Sequence, residues 1–197
     1  MSETSDLLRR IRENTELSMF LAVFPEFDVN RCHRGDDPRL ASGASLEVIA
    51  GDGTGGAFFL SGEHASRRPV VYASSEGDAG IIARSLNEAL EIMIGFPYWR
   101  DCLGYSHNGD LETMQAAAAL LQRDLLKNHP DADREQSRAA EFAGIERKPV
   151  TVLVRQLHSA VSSAGPGFVF SDATGEYGGL FGPFEPSRNH MWQGLLG

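Results

Sequence analysis

Leu7, Leu8, Ile11, Thr15 and Met19 recur at three- and four-residue intervals behind Ser5, which can cap a helix, and this spacing predicts one helix over residues 6–24, stopped by Pro25. The polar stretch from Asp28 to Ser45 reads as loop. The period then shortens. Leu46–Ala50, Ala57–Leu60 and Pro69–Ala73 are short apolar runs parted by turn residues, and they predict three strands of an antiparallel meander. Helical spacing returns at Leu86, Ala89, Leu90, Met93 and Ile94, where Ser85 and Glu88 form a capping-box pattern. A second such helix starts at Asp110 and carries Leu111, Met114, Ala118, Leu121 and Leu125 until Pro130. A third follows Pro149 with Val150, Leu153, Val154, Leu157 and Val161 on one face. Between these two, the charged residues 131–148 predict a short exposed helix and mark the best candidate boundary. Phe168 to Phe181 reads as a closing hairpin.

Strands grouped together, without alternating helices, indicate an α+β fold over a doubly wound sheet. The expected architecture is an N-terminal helix, an antiparallel-rich mixed sheet of short strands, several C-terminal helices and a closing hairpin. Residues 1–145 would form the α+β domain, and 146–197 a helix and hairpin extension packed on it.

Hydrophobic residues make up 42% of the 197 and charged residues 23%, enough apolar surface for a folded core. Eighteen basic against 27 acidic residues give a formal charge of −9, which disfavours direct binding to nucleic acid because that affinity comes from cations displacing counterions. Most of the acidic excess precedes Gly104. Two cysteines, Cys32 and Cys102, without a C-x-x-C, suggest neither a disulfide framework nor a zinc site. The N-terminus MSETSD lacks a basic region leading into an apolar core, and the apolar run Met19–Phe24 is too short to span a bilayer, so a cytoplasmic protein without membrane contact is expected.

The run GDGTGG from Gly51 to Gly56 raises a sharper question. Gly51, Gly53 and Gly56 satisfy G-x-G-x-x-G, and Glu76 follows at the distance of a ribose-binding acid. A dinucleotide site requires the glycines to open a helix, yet Ala57, Phe58, Phe59 and Leu60 have no helical spacing. Ala57 stands where a phosphate-loop lysine belongs, and an EF-hand reading finds carboxylates only at Asp52 and Glu63. The remaining reading is a strand–turn–strand unit whose glycines supply positive φ, expected at Gly53 and Gly56. Whether Ala57–Leu60 is strand or helix decides between this turn and the alternative, a nucleotide-binding or small-molecule enzyme using the loop.

The arrangement of an N-terminal helix, GDGTGGAFFL, the strand PVVYAS, the turn EGDAG and then IIARSLNEALEIMI resembles the SUKH superfamily over roughly residues 5–105. Ile82, Ala83, Ser85, Leu86 and Leu90 match its short hydrophobic–serine motif, with Leu86 where an aromatic is usual. The resemblance implies a non-enzymatic protein, of the type in which bacterial members bind and neutralise toxins, often nucleases. No cofactor is expected. An acidic surface suits a basic partner, since complementary fields raise association rates. Asp52, Glu63, Glu76 and Asp78, on turns beside strands, are the expected partner-binding residues.

Catalytic alternatives find little support. The histidines at 33, 64, 107, 129, 158 and 190 show no H-x-x-x-H or H-E-x-x-H pairing, so no metal site is expected. Cys32 beside His33, or Cys102 near His107, would need a geometry that adjacency does not supply. No G-x-S-x-G occurs, and Arg34-Gly35-Asp36 has no meaning in a chain that is not secreted. Tyr98, Trp99, Arg100 and Asp101 could form an interface hot spot or close the preceding helix against the sheet, and the second is the commoner role.

Overall fold

The computed structural model describes residues 3–32, 37–63, 68–165 and 168–181. It is an α+β fold in which a meander of short strands packs one face on a layer of helices. Strands β2 (Leu46–Gly51), β3 (Ala57–Ser61), β4 (Val70–Ala73) and β5 (Asp78–Ala83) pair antiparallel in sequence order. The three predicted strands are present. The fourth begins inside EGDAG, where the sequence reads as turn, because Ala79 and Gly80 give alternation nothing to register.

The contiguous apolar run in β3 has a simple cause. Phe58 and Leu60 face the helical core together with Val70 and Tyr72, while Ala57 and Phe59 face a second cluster with Val71, Ala73 and Ala79. Both faces are buried, so the polar half of the period-two pattern is missing. The second face is covered by a small sheet of β1 (Arg39–Leu40), β6 (Phe170–Asp172) and β7 (Gly175–Glu176), which contributes Leu40 and Phe170. The β6–β7 pair is the predicted closing hairpin in shortened form. Its continuation, β8 (Gly178–Gly179), leaves that sheet and pairs parallel with β5, extending the main sheet to five strands.

The predicted helix over residues 6–24 is two helices, α1 (Glu3–Glu13) and α2 (Thr15–Val23). Asn14 breaks the run. Its backbone is extended at φ −103° and ψ 104°, and its Oδ1 accepts a hydrogen bond from the Leu17 amide at 3.0 Å. An asparagine capping its own successor outcompetes the apolar spacing that would carry one helix through.

Ser85 caps α3 (Leu86–Gly95) as predicted, its hydroxyl accepting from the Glu88 amide at 3.2 Å, while the Glu88 carboxylate accepts from the Arg84 amide at 2.7 Å. Then come α4 (Trp99–Gly104), α5 (Leu111–Asn128), α6 (Ala132–Ala143) and α7 (Val150–Ser163). The Asp110 carboxylate caps α5 by accepting from the Thr113 amide at 2.7 Å. Within the charged stretch 131–148, α6 is not an exposed helix. It buries Ala132, Gln136, Ala139, Ala140 and Ala143 against α2 and α3, and Arg10 of α1 donates to its Ala143 carbonyl at 2.7 Å. Alanines at helical spacing make a narrow apolar seam that the surrounding charges hide in the sequence. Leu153, Val154 and Leu157 of α7 share one core with Leu7 and Ile11 of α1. Among the described residues no helix is long and apolar enough to cross a membrane.

Candidate functional site

The β2–β3 turn closes around one carboxylate. Asp52 Oδ1 accepts from the Thr54 amide at 2.8 Å, the Thr54 hydroxyl at 2.9 Å and the Gly56 amide at 2.8 Å. Its Oδ2 accepts from the Tyr72 hydroxyl at 2.7 Å and from Arg100 Nη1 at 2.9 Å. Arg100 Nη1 also donates to the Tyr72 oxygen at 3.1 Å, its other terminal nitrogen pairs with Glu26, and its guanidinium lies 5.9 Å from the Tyr72 ring centroid. The Asp52 side chain is 0% exposed.

Burial by itself raises the pKa of Asp52, but the donors from Tyr72, Thr54 and Gly56 outweigh it and hold the carboxyl below the ordinary aspartate value. Burial and the adjacent Asp52 push the Tyr72 hydroxyl far above the ordinary tyrosine value, against the pull of Arg100. Asp52 is thus an anion at neutral pH, satisfied from within. The sequence places it at a partner surface, and it is instead the centre of the turn, because the amides of the glycine-rich loop turn inward and donate to its carboxylate.

The glycines differ in their reasons. Positive φ occurs at Gly55, +105°, and at neither Gly53 nor Gly56. At Gly56 the constraint is space, since a Cβ there would stand 2.5 Å from Asp52 Oδ2, 2.9 Å from the Tyr72 hydroxyl and 3.0 Å from the Ala73 carbonyl. A Cβ on Gly51 would meet the Arg31 carbonyl at 2.4 Å, whereas one on Gly53 meets nothing within 4 Å. Ala57–Ser61 is strand, so no helix N-terminus follows the glycines, and the Thr54 and Gly56 amides point at Asp52. The pyrophosphate geometry is absent from this turn.

The three other predicted acids fall at opposite ends of the sheet. The register sets Gly51, Ala57, Ala73 and Ala79 along one end, so Glu76 and Asp78 share the end of the glycine turn. Glu63 follows β3 at the other end, beside Leu46 and Val70. Glu76 and Glu63 are exposed, and Asp78 is half-buried. Burial, then the Glu76 charge, hold the Asp78 carboxyl above the ordinary value.

Trp99 is buried against Phe58 and Tyr72, with ring centroids 6.0 and 5.2 Å away, and Arg100 turns inward, so this half of the aromatic–charge cluster closes α4 on the sheet. Tyr98 is half-buried and Asp101 exposed. Cys102 is buried and its thiol is pushed up to about 12 by burial and by Asp101, the opposite of an activated nucleophile. Cys32 is exposed, while His33, His64, His190 and Arg34–Asp36 lie outside the described residues. Among the described residues no three His, Cys, Asp or Glu side chains are placed to hold a metal. A second charged network ties α3 to α7: Arg84 and Gln156 donate to Glu88, and Lys148 donates to Glu91 at 2.6 Å.

Asp52, Tyr72 and Arg100 meet across 20 and 48 residues of sequence, which no local pattern reveals. The available signal was the D-x-T-G unit itself. It recurs at Asp172, whose Oδ1 accepts from the Thr174 amide at 2.7 Å and its hydroxyl at 2.6 Å, whose Oδ2 accepts from the Tyr177 hydroxyl at 2.7 Å, and where Gly175 has φ +139°. Aspartate bonding the backbone two residues on is ordinary turn chemistry. Comparison with protein families, with curated proteins and with solved structures finds no match for this chain in any of the three.

Proposed function

We propose that this chain is a non-catalytic protein-binding module of the immunity type, which neutralises a basic protein, such as a toxin nuclease, in the cytoplasm. The observation that carries the reading is the Asp52 knot. The loop with the strongest sequence claim to a ligand is filled by its own carboxylate, and the polar groups around it are committed as well, Arg100 bonding Asp52, Tyr72 and Glu26. What remains for a partner is surface, on a chain whose formal charge is −9. The resemblance of the GDGTGGAFFL and IIARSLNEAL segments to the SUKH superfamily supports the same reading. The enzyme alternative loses its geometric argument at β3, where a strand stands in place of a helix.

The register narrows the partner surface. β3 alone spans about 14 Å at ~3.4 Å per residue, and Glu63 lies past its far end, beyond the screening length of about 8 Å at physiological ionic strength. Glu76 and Asp78 therefore act together and Glu63 apart. The test is coexpression with any toxin domain that a neighbouring gene encodes, scored by growth, followed by association kinetics at two salt concentrations. Reversal of Glu76 and Asp78 should slow association several-fold at low salt and flatten its salt dependence, and Glu63→Lys should change it less. Saturable stabilisation by NAD or ATP, or a chain that protects against no such toxin, would sink the proposal.

A further inference from the structure

A groove of about 390 Å³ runs along the β8 edge of the sheet, between β5, the C-terminal end of α7 and the β6–β7 hairpin. Its walls include Phe168, Phe170, Tyr177, Phe181 and Val161, and the side-chain-free Gly179 leaves one side open. None of its described lining residues is basic. Carboxylates border it instead. Asp78 pairs in register with Gly178, and its Oδ1 lies 2.8 Å from where a Cβ on that glycine would stand. Burial and then the nearby Glu76 charge hold the Asp78 carboxyl above the ordinary value, and Asp172 accepts from the Tyr177 hydroxyl. The ion pairs among the described residues involve none of these three acids. Arg39, opposite Ser171 on the side of β6 away from β7, is already paired with Asp37.

Aromatic walls and an anionic border specify a cation on an aliphatic stem. The ring faces attract the charged head, the apolar walls cover the methylenes, and the carboxylates supply the countercharge. We propose that this groove receives an arginine or lysine side chain from a basic segment of the protein partner. The proposal rests on the protein-binding reading and names its contact point. Asp78, crowded by Glu76 in a half-buried position, is the acid that a bound cation relieves most.

The test uses the full chain, labelled with ¹⁵N and titrated with the peptide acetyl-Gly-Leu-Arg-Leu-Gly-amide and with the same peptide carrying citrulline, a neutral isostere of arginine. Saturable shifts are expected at the amides of Ala79, Gly178 and Gly179, with the citrulline peptide at least about fivefold weaker, a loss of the size a cation–π contact supplies. The double variant Glu76→Gln/Asp78→Asn should lose a similar factor, and Gly179→Phe, which places a ring in open space, should abolish the shifts. Equal binding of the citrulline peptide, or shifts that do not saturate or that fall elsewhere, overturns the proposal. A toxin neutralised equally well and at the same on-rate by Gly179→Phe overturns the groove and leaves the protein-binding reading standing. Localised arginine-peptide binding in a chain that protects against no toxin supports the groove and removes that reading.

Discussion

Replacing Asp52 measures how much of the fold depends on the turn it closes. Asp52→Ala deletes five accepted hydrogen bonds and leaves the Tyr72 hydroxyl and the Arg100 guanidinium without their shared anion. Bonds to a charged group are worth about 1.5–3 kcal/mol each, but the two turn amides and the Thr54 hydroxyl can recover water once the loop opens. The lasting loss is the buried pair. Breaking such a pair costs about 3–5 kcal/mol, and Arg100, 29% exposed and still bonded to Glu26, keeps part of its solvation. A loss of about 3 kcal/mol is therefore expected in urea unfolding followed by far-UV circular dichroism. Asp52→Asn keeps the acceptor for the turn and loses the charge, so about half that loss should remain.

The pH dependence carries the sharper prediction. Because the folded carboxyl is held below its unfolded value, its contribution is full above an unfolded pKa of about 3.9 and fades as pH falls through the folded value. The gap between wild type and Asp52→Asn should be constant from pH 7 to 5 and narrow below pH ~4. A gap under about 1 kcal/mol at pH 7, or one that does not narrow in acid, would refute the account of Asp52 as a charge satisfied from within.

Four further outcomes follow from the geometry. Gly56→Ala should cost about 2 kcal/mol or more because its Cβ meets the Ala73 carbonyl as well as two side chains, Gly55→Ala about 1–2 for its positive φ, and Gly53→Ala within about 0.5, all by the same urea titration. Asn14→Ala should lose about 1 kcal/mol through the α2 cap, read as reduced helical signal and a lower midpoint. In a thiol titration with an aromatic disulfide, Cys32 should react at once and Cys102 only after unfolding; two fast equivalents would contradict the buried placement. The Glu88 carboxyl is held below its ordinary value, burial opposing and Arg84 prevailing, so the stability lost in Glu88→Gln should likewise be present at neutral pH and fade below an unfolded value of about 4.3.

The fold was legible where one face of an element is buried and the other is wet. Leu86, Ala89, Leu90 and Met93 announce α3, and Val150, Leu153, Val154 and Leu157 announce α7, because burial on one side imposes a period. It was illegible where that contrast vanishes. Within β5, Ala79 and Gly80 carry too little apolar surface to alternate, and the buried face of α6 is built of alanine and Gln136 under a charged exterior. At Asn14 a single capping side chain overrode a continuous apolar spacing. The sequence points to strand–turn–strand at the glycine turn, which the structure has, but it points to positive φ at Gly53 and Gly56 where Gly55 holds it. Nothing in the sequence joins Arg100 to Asp52, since their distance along the chain hides a contact that only the fold brings about.

The twin D-x-T-G turns change what the net charge means. Asp52 and Asp172 each bond two groups of a threonine and one tyrosine hydroxyl, so both carboxylates are committed to shaping backbone. Asp28, Glu88 and Asp110 likewise accept from backbone amides, and Glu91 is neutralised by Lys148. A charge of −9 therefore overstates the anionic surface that is free to bind a partner at short range, although every carboxylate still contributes to the long-range field. Steering and docking thus separate. Neutralising Asp172 should alter the hairpin and the groove it borders, reversing Glu63 should alter only the distant field, and reversing Glu76 with Asp78 should alter both the approach of a basic partner and its residence. Measured on one partner, the first and third changes should raise the dissociation rate while the second leaves it unchanged, because a rim charge acts on association and a desolvated contact on dissociation. Equal dissociation rates for all three would mean that the partner does not touch this end of the sheet.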